Sequence, residues 1–231
     1  MTKTYAIPDL HGRFDLLRGA ERAIADRAGS EPITVVLLGD YVNKGPQSAD
    51  VIARLIRGFD PRWQMIYLKG NHDAIMLDAL RDATMLPRWI ENGGAATLRS
   101  YAPQSDHGPD VTVVPRAHRA WLARLQTIYV DRHRVFVHAG VDPARPLDAQ
   151  DENTLLTKRY AETDQSGHGN RQVVHGHHPF RDGPKLFAGR TDLDTLAWTT
   201  GRLVIGVFDD DATGGPIDLI EVRGPPLGDA A

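Results

Sequence analysis

Five short apolar runs have the length of β-strands, and each is followed closely by polar side chains that can bind a metal. The runs are TYAI (4–7), ITVVLL (33–38), QMIYL (64–68), RVFV (134–137) and QVV (172–174). The polar residues after them are, in order, Asp9 and His11, then Asp40, Asn71 to Asp73, His138, and His175 to His178. In an open α/β sheet, ligands bind at the edge formed by the carboxyl ends of the strands. The pattern therefore predicts one site assembled from five strand ends.

Segments with helical spacing lie between the early strands. Phe14, Leu17, Ala20 and Ile24 share one helical face, and residues 51–56 repeat the pattern. The runs 202–208 and 217–222 are separated by a turn-rich stretch and predict an antiparallel hairpin. We expect an α/β fold, or a mixed α+β fold with a sandwich of two sheets.

The 231 residues are enough for one large domain. Residues 82–126 differ from the rest, since prolines and a Gly-Gly pair interrupt short helical pieces, and we interpret them as a helical cap inserted in the sandwich. The last residues, about 224–231, read as a flexible tail.

Composition excludes several classes of function. The net charge is −3 and no long basic run occurs, so no nucleic-acid footprint is expected. No stretch approaches the ~18 apolar residues of a membrane span. Cysteine is absent, which rules out disulfides and thiolate metal sites. Because the N-terminus runs straight into a strand, no signal peptide is predicted and a cytoplasmic location is expected.

Oxygen and imidazole ligands without thiolates suit manganese, iron(II) or zinc. A carboxylate such as Asp40 can bridge two cations, and cations about 3.5–4 Å apart suit phosphoryl transfer. At any single position the alternative is turn chemistry, because Asp and Gly are common after strands, and a lone His is more often a packing residue. Five strand ends with the same chemistry favour the metal site.

The motifs DLHG (9–12), GDYVNKG (39–45), GNHD (70–73), VHAG (137–140) and GHHP (176–179) occur in this order. They resemble the signature of the phosphoprotein phosphatase superfamily of metallophosphoesterases, which reads DxHG, GDxVDRG, GNHE/D, H(A/G)G and GH. ENGGAATLRSYA resembles the cap of its bacterial members, and residues 191–203 faintly resemble their late DTGA–GGxL segment. The resemblance implies a four-layer sandwich in which helices flank two central mixed sheets.

The resemblance also implies roles for single residues. Two divalent metal ions would be bound; manganese is the usual activating metal of the family, and iron, zinc and nickel are alternatives. His72 would protonate the leaving oxygen while a metal-bound hydroxide attacks phosphorus. Among the three histidines near residue 177, the Gly-His pair favours His177 as the ligand. The implied metal ligands are Asp9, His11, Asp40, Asn71, His138 and His177.

The chain departs from the family at Asn43-Lys44, where protein phosphatases carry Asp-Arg. Asn43 can accept a hydrogen bond from His72 but brings no negative charge, so the imidazolium should be less populated. Lys44 offers a mobile point charge instead of a bidentate grip on phosphate. Phosphoanhydrides have a weakly basic leaving group and need the acid less. A neutral residue at this place also resembles the symmetrical bis(5′-nucleosyl)-tetraphosphatase branch and its relatives.

We therefore expect a phosphohydrolase for nucleotide polyphosphates such as diadenosine tetraphosphate. Alternatives are a Ser/Thr phosphoprotein phosphatase in which the pair has drifted, an engineered substitution, or a catalytically weak metal-binding regulator. Arg159 is the second candidate for phosphate binding, with Lys158 close behind and a solvated helix face as the alternative. In the cap, Trp89, Asn92 and Tyr101 could contact a base, although cap aromatics more often pack.

Overall fold

The computed structural model of the chain describes residues 2–103 and 109–228. Strands and helices alternate at first, in the order β1 (Lys3–Ile7), α1 (Phe14–Ala28), β2 (Ile33–Leu37), α2 (Ser48–Arg57), β3 (Trp63–Tyr67) and α3 (Asn71–Arg81). Three shorter helices follow, α4 (Leu86–Trp89), α5 (Ala95–Tyr101) and α6 (Arg116–Leu122). The remaining elements are β4 (Ile128–Val130), β5 (Arg134–Val137), α7 (Glu152–Thr157), β6 (Gln172–His175), β7 (Lys185–Leu186), β8 (Arg190–Asp192), α8 (Ala197–Thr200), β9 (Arg202–Asp209) and β10 (Asp218–Arg223).

The strands form two mixed sheets of five strands each. The first has the order β10-β9-β1-β2-β3, with β1, β2 and β3 parallel and the β9–β10 hairpin antiparallel. The second has the order β4-β5-β6-β8-β7, with β5, β6 and β8 parallel. The predicted sandwich of two mixed sheets flanked by helices is confirmed. The seven predicted strands each lie within one residue of their expected bounds.

Alternation along the strands explains why two sheets can stack. On β1 and β2, Ala6 and Val36 face the second sheet, where they meet Phe136 and Val174 in a buried cluster. The neighbouring side chains point to the opposite face and pack under α1 and α2. Successive side chains of a strand point to opposite faces, so a fully apolar strand can serve two cores.

The segment expected to be a cap packs into the same core as α1 and α2. Trp89, Leu98 and Leu122 are buried there, and α5 contacts α2. Ser48 begins α2, and its hydroxyl oxygen lies 3.2 Å from Thr97 Oγ1. The segment therefore extends the helical layer of the first sheet. Of the predicted range 82–126, residues 104–108 lie outside those described.

The start of the expected tail is held in place. The backbone N–H groups of Gly224 and Leu227 donate to the carbonyl oxygens of Gly201 and Thr199 at 2.8 and 3.0 Å. Residues 229–231 lie outside the described part of the chain. No described helix is both long enough and apolar enough to cross a bilayer.

Candidate metal and phosphate site

The predicted ligands come from the carboxyl ends of strands in both sheets. Asp9 and His11 follow β1, Asp40 follows β2, and Asn71 opens α3 just after β3. The second sheet contributes His138 after β5 and His177 after β6. Five of the six line one pocket, and the sixth, His138, lies 3.6 Å from the Asp40 carboxylate.

The backbone at these positions is unusual. Among the described residues, six that are not glycine have a positive φ angle, and five of these are predicted site residues: His11 (42°), Asp40 (53°), Asn43 (73°), Lys44 (65°) and His177 (67°). Such angles are uncommon for residues with a Cβ atom, and they cluster at functional sites. The turns after the strands thus hold side chains in orientations that a relaxed backbone would not favour.

Asp40 lies at the centre of the site. Its Oδ2 atom is 3.4 Å from His11 Nε2, 3.6 Å from His138 Nε2 and 4.0 Å from His72 Nε2. Two groups of donor atoms fall within 4.8 Å of one another, His11–Asp40–His72 and Asp9–Asp40–His138. Asp40 belongs to both groups, as a carboxylate shared by two cations would.

Hydrogen bonds fix the orientation of two imidazoles. The Nδ1 atoms of His11 and His138 lie 2.9 and 3.0 Å from the carbonyl oxygens of Val42 and Leu38, which can only accept. In its neutral form each ring therefore carries its proton on Nδ1 and directs the Nε2 lone pair towards Asp40. A backbone carbonyl that orients a histidine through its second nitrogen is a usual partner of a metal ligand.

Asn71 shows that a cation fits this donor set. Its Oδ1 atom lies 2.9 Å from His138 Nε2 and 3.0 Å from His177 Nδ1. Because His138 has its proton on the other nitrogen, an oxygen and a nitrogen lone pair face each other at hydrogen-bond distance. A cation bound between them would turn this repulsive contact into coordination. Oxygen and imidazole donors suit divalent manganese, iron or zinc.

The pKa values of the Asp9 and Asp40 carboxyl groups are shifted in opposite directions. Burial, with the nearby charge of Asp40, raises the pKa of Asp9 to about 8. Burial would also raise the pKa of Asp40, but the positive charge that the imidazoles of His138, His72 and His11 carry when protonated holds it below its usual range. Additional positive charge, such as a bound cation supplies, would therefore allow Asp9 and Asp40 to be ionised together at neutral pH.

Asp73 was not singled out by the sequence, yet it joins two of the ligand loops. Its carboxylate accepts hydrogen bonds from the backbone N–H groups of Gly70 and Asp40 at 2.9 Å and of Tyr41 at 3.0 Å. The loops after β2 and β3 are thereby held together. Asp73 is the last residue of the GNHD motif, so the motif could have identified it.

The structure corrects the expected role of Asn43. Its Oδ1 accepts hydrogen bonds from Trp89 Nε1 at 2.8 Å and Thr97 Oγ1 at 3.1 Å. Since the indole N–H can only donate, the amide Nδ2 must be the atom 2.8 Å from His72 Nδ1. Asn43 therefore donates to His72 instead of accepting from it, because the cap occupies the acceptor.

Lys44 and Arg159 both line the pocket, whose volume is about 210 Å³. Lys44 Nζ lies 3.1 Å from His11 Nε2. Lys158 is turned away, since its Nζ donates to the carbonyl oxygen of Val141 at 2.6 Å. Of the neighbouring histidines, His175 is buried with Nδ1 near the Gly176 carbonyl oxygen, and His178 lies against Phe180.

Sequence reasoning missed several residues of the pocket wall, and of its two readings of the cap aromatics the packing one holds. Trp89 is fully buried, and the hydroxyl of Tyr101 is 2.8 Å from His118 Nδ1, so neither cap aromatic is available to a substrate. Asn92 does line the pocket. The missed wall residues are Pro179, Asp194, Leu196 and Trp198.

Comparisons with known proteins agree with this geometry. The model of the calcineurin-like phosphoesterase family matches residues 2–206. A symmetrical bis(5′-nucleosyl)-tetraphosphatase of Paracidovorax citrulli is 35% identical over 147 residues, covering 63% of this chain and 46% of the relative. The corresponding protein of Nitrosospira multiformis is 29% identical, covering 77% and 62%. The chain spans about half the length of the curated relatives that it matches.

Solved structures show the same architecture. A crystal structure assigned provisionally as a diadenosine tetraphosphatase superposes with a TM-score of 0.67 at 26% identity, covering 96% of this chain and 93% of the other. A protein serine/threonine phosphatase of Saccharomyces cerevisiae has a TM-score of 0.61 at 14% identity, covering 99% and 82%. At that identity the second likeness concerns the fold alone.

Proposed function

We propose, on the premise that this chain belongs to the calcineurin-like phosphoesterase family, that it is a dinuclear-metal phosphohydrolase acting on phosphoanhydride bonds of nucleotide polyphosphates. The observation that carries the proposal is the Asp40 carboxylate, which is shared by two groups of buried donors. Lys44 and Arg159 stand beside it in the same pocket.

We assign the residues that would hold the cations as the family motifs imply, and every member of the two donor groups except His72 is among them. Asp9, His11 and Asp40 would bind one, and Asp40 would also bind the other. When bound, two divalent cations supply Lewis acidity that activates a water and neutralises phosphoryl oxygens. The remaining ligands of the second cation would be Asn71, His138 and His177. Manganese is the metal we would supply first.

The chain's own cations would bind and orient the substrate. Lys44 and Arg159 are positive side chains in a pocket otherwise dominated by acceptors, so each would bind phosphate oxygens of the substrate. A guanidinium can grip phosphate with two parallel hydrogen bonds, whereas an ammonium acts as a point charge. We therefore assign the orientation of the phosphate to Arg159 and part of its charge neutralisation to Lys44.

The hydrogen bond from Asn43 restricts what His72 can do. With Asn43 Nδ2 donating to its Nδ1, neutral His72 keeps its proton on Nε2, the nitrogen that faces Asp40. This Nε2–H can donate a hydrogen bond to a leaving oxygen. Complete proton transfer needs a second proton on Nδ1, where the amide hydrogens of Asn43 already point. Burial also lowers the pKa of His72.

This restriction favours phosphoanhydrides over phosphate esters. An alkoxide leaving group needs full protonation, and general acid catalysis typically contributes about 10²–10⁴-fold. A nucleotide phosphate is a weak base and can leave with a hydrogen bond alone. The similarity to tetraphosphatases supports the same substrate class, dinucleoside tetraphosphates among them.

The test is a comparison of kcat/KM in the presence of Mn²⁺ for diadenosine tetraphosphate, a nucleoside triphosphate and a phosphoserine peptide. We expect both anhydrides to be preferred over the peptide. Preference for the peptide would overturn the proposal and identify a phosphoprotein phosphatase. Asp40→Ala serves as the control, because it should abolish both turnover and metal content. An inactive protein that still binds two metal ions would instead be a regulator.

A further inference from the structure

Leu196 shares the backbone signature of the predicted site. It is the sixth of the described residues other than glycine with a positive φ angle, at 56°, and it lines the pocket. A side chain with a Cβ atom rarely adopts this conformation. The fold thus keeps a strained leucine in the pocket wall.

Trp198 is the aromatic side chain in this wall. Its ring centroid is 5.5 Å from Lys44 Nζ, so a phosphate bound at Lys44 lies next to the indole. The ring is only partly buried, and its Nε1 has no hydrogen-bond partner within the described part of the chain. Trp89 and Tyr101, by contrast, are engaged in the cap.

Arg13 holds the segment that carries both residues. Its buried guanidinium donates to the carbonyl oxygens of Ala197 and Trp198 at 3.1 Å and of Pro225 at 2.8 Å. Asp15 balances its charge at 2.7 Å. An arginine saturated in this way cannot reach a substrate, so its effect is to fix the position of the wall.

The size of the pocket limits what can be enclosed. About 210 Å³ is smaller than the ~300–1,000 Å³ of pockets that enclose a complete small ligand. The phosphates can occupy the space beside Asp40 and Lys44. A group attached to them must extend beyond this space. Pro179, Leu196 and Trp198 are the apolar residues of the lining, and Trp198 is the one beside Lys44.

We propose that Leu196 and Trp198 form a nucleoside-binding wall, on which the base attached to the bound phosphates stacks against the indole. The inference rests on the proposed function and deepens it, because it names nucleoside polyphosphates, and not inorganic polyphosphate, as the preferred substrates. Stacking of a base on an aromatic side chain contributes about 1–3 kcal/mol, which is about 5- to 150-fold in affinity.

The experiment measures binding of AMP and of inorganic phosphate to the manganese-loaded protein by calorimetry, which needs no turnover. Trp198→Ala should weaken AMP binding about 5- to 150-fold and change phosphate binding less than about twofold. Trp198→Phe should keep most of the affinity for AMP. Leu186→Ala, at a side chain 56% exposed and outside the pocket, is the control.

Equal losses for AMP and phosphate, or no loss for either, would overturn the inference. Trp198→Leu keeps an apolar side chain without an aromatic face, and it replaces the alanine variant if that one does not fold. The same variants are then compared for kcat/KM with diadenosine tetraphosphate and inorganic tripolyphosphate, where only the first should fall. If the parent protein prefers the phosphopeptide, the proposed function fails, and the AMP comparison still decides on the wall.

Discussion

Replacing Asn43 by aspartate tests the link between one hydrogen bond and the choice of substrate. In the parent protein a second proton on His72 Nδ1 would face the amide hydrogens of Asn43 across 2.8 Å. In Asn43→Asp the same place holds a charged acceptor. Trp89 and Thr97 can still donate to the carboxylate, so the packing of the cap should persist.

The size of the effect follows from the new interaction. A hydrogen bond to a charged group contributes about 1.5–3 kcal/mol, which corresponds to about 10- to 150-fold more imidazolium at a given pH. We expect kcat/KM for a phosphoserine peptide to rise by up to this factor. For diadenosine tetraphosphate the change should stay within about threefold, since its leaving group does not need a complete proton transfer.

The pH profile of activity gives an independent test of the direction in which the pKa of His72 changes. A general acid must be protonated to act, so activity on the ester is lost as pH rises through the pKa of His72. Asn43→Asp raises that pKa and should move the alkaline limb of the ester profile to higher pH. Asn170→Asp, in an exposed turn, introduces the same charge far from this contact and is the control. An equal change for both substrates, or an unmoved alkaline limb, would refute the reasoning.

Three further predictions concern the pocket and its strain. Arg159→Gln should raise KM for diadenosine tetraphosphate about tenfold or more, because a charge-assisted hydrogen bond is lost. Lys158→Gln, at the neighbouring cation that points away from the pocket, should leave KM unchanged. Steady-state kinetics of the two variants test this difference. In the presence of a metal chelator, the melting temperature should fall as pH rises from about 6.5 to 8. The pKa values of Asp9 and Asp73 are raised to about 8 and about 7 in the folded protein. The folded state therefore binds more protons than the unfolded state in this range, and it loses that advantage as the pH rises. Mn²⁺ should therefore stabilise more at pH 8 than at pH 6.5, and a melting temperature that rises with pH in chelator would contradict this. Leu196→Gly should be about 1 kcal/mol less destabilising than Leu196→Ala in urea unfolding, because only glycine relieves the positive φ angle; equal losses would mean that the position is unstrained.

The sequence predicted the strands and the polar residues after them because both depend on local patterns. An apolar run such as ITVVLL can hardly be anything but a strand covered on both faces, and its end fixes where Asp40 lies. The strands β4, β7 and β8 escaped prediction, since they have only three, two and three residues and β8 reads Arg-Thr-Asp. Short polar segments become strands only when a neighbouring strand pairs with them.

Within the site, the sequence predicts which residues meet but not how they are oriented. Asn43 was expected to accept a hydrogen bond, and only the position of the Trp89 indole shows that it donates. Likewise Lys158 and Arg159 are neighbouring positive residues that the sequence does not distinguish, and the backbone conformation decides that Arg159 enters the pocket. Trp198 is distant in sequence from every ligand, so no local pattern could have assigned it to the wall.

The contacts between the cap and Asn43 have a consequence for how such proteins diversify. Trp89 and Thr97 decide which atom of Asn43 faces His72, and the carbonyl oxygen of Gly93 accepts a hydrogen bond from the backbone N–H of Lys44 at 3.2 Å. A cap transplanted from a relative would therefore change which hydrogen-bond donors and acceptors face His72, as well as the shape of the pocket. Recombination between members of the family should succeed only when residues 43–44 travel together with the cap.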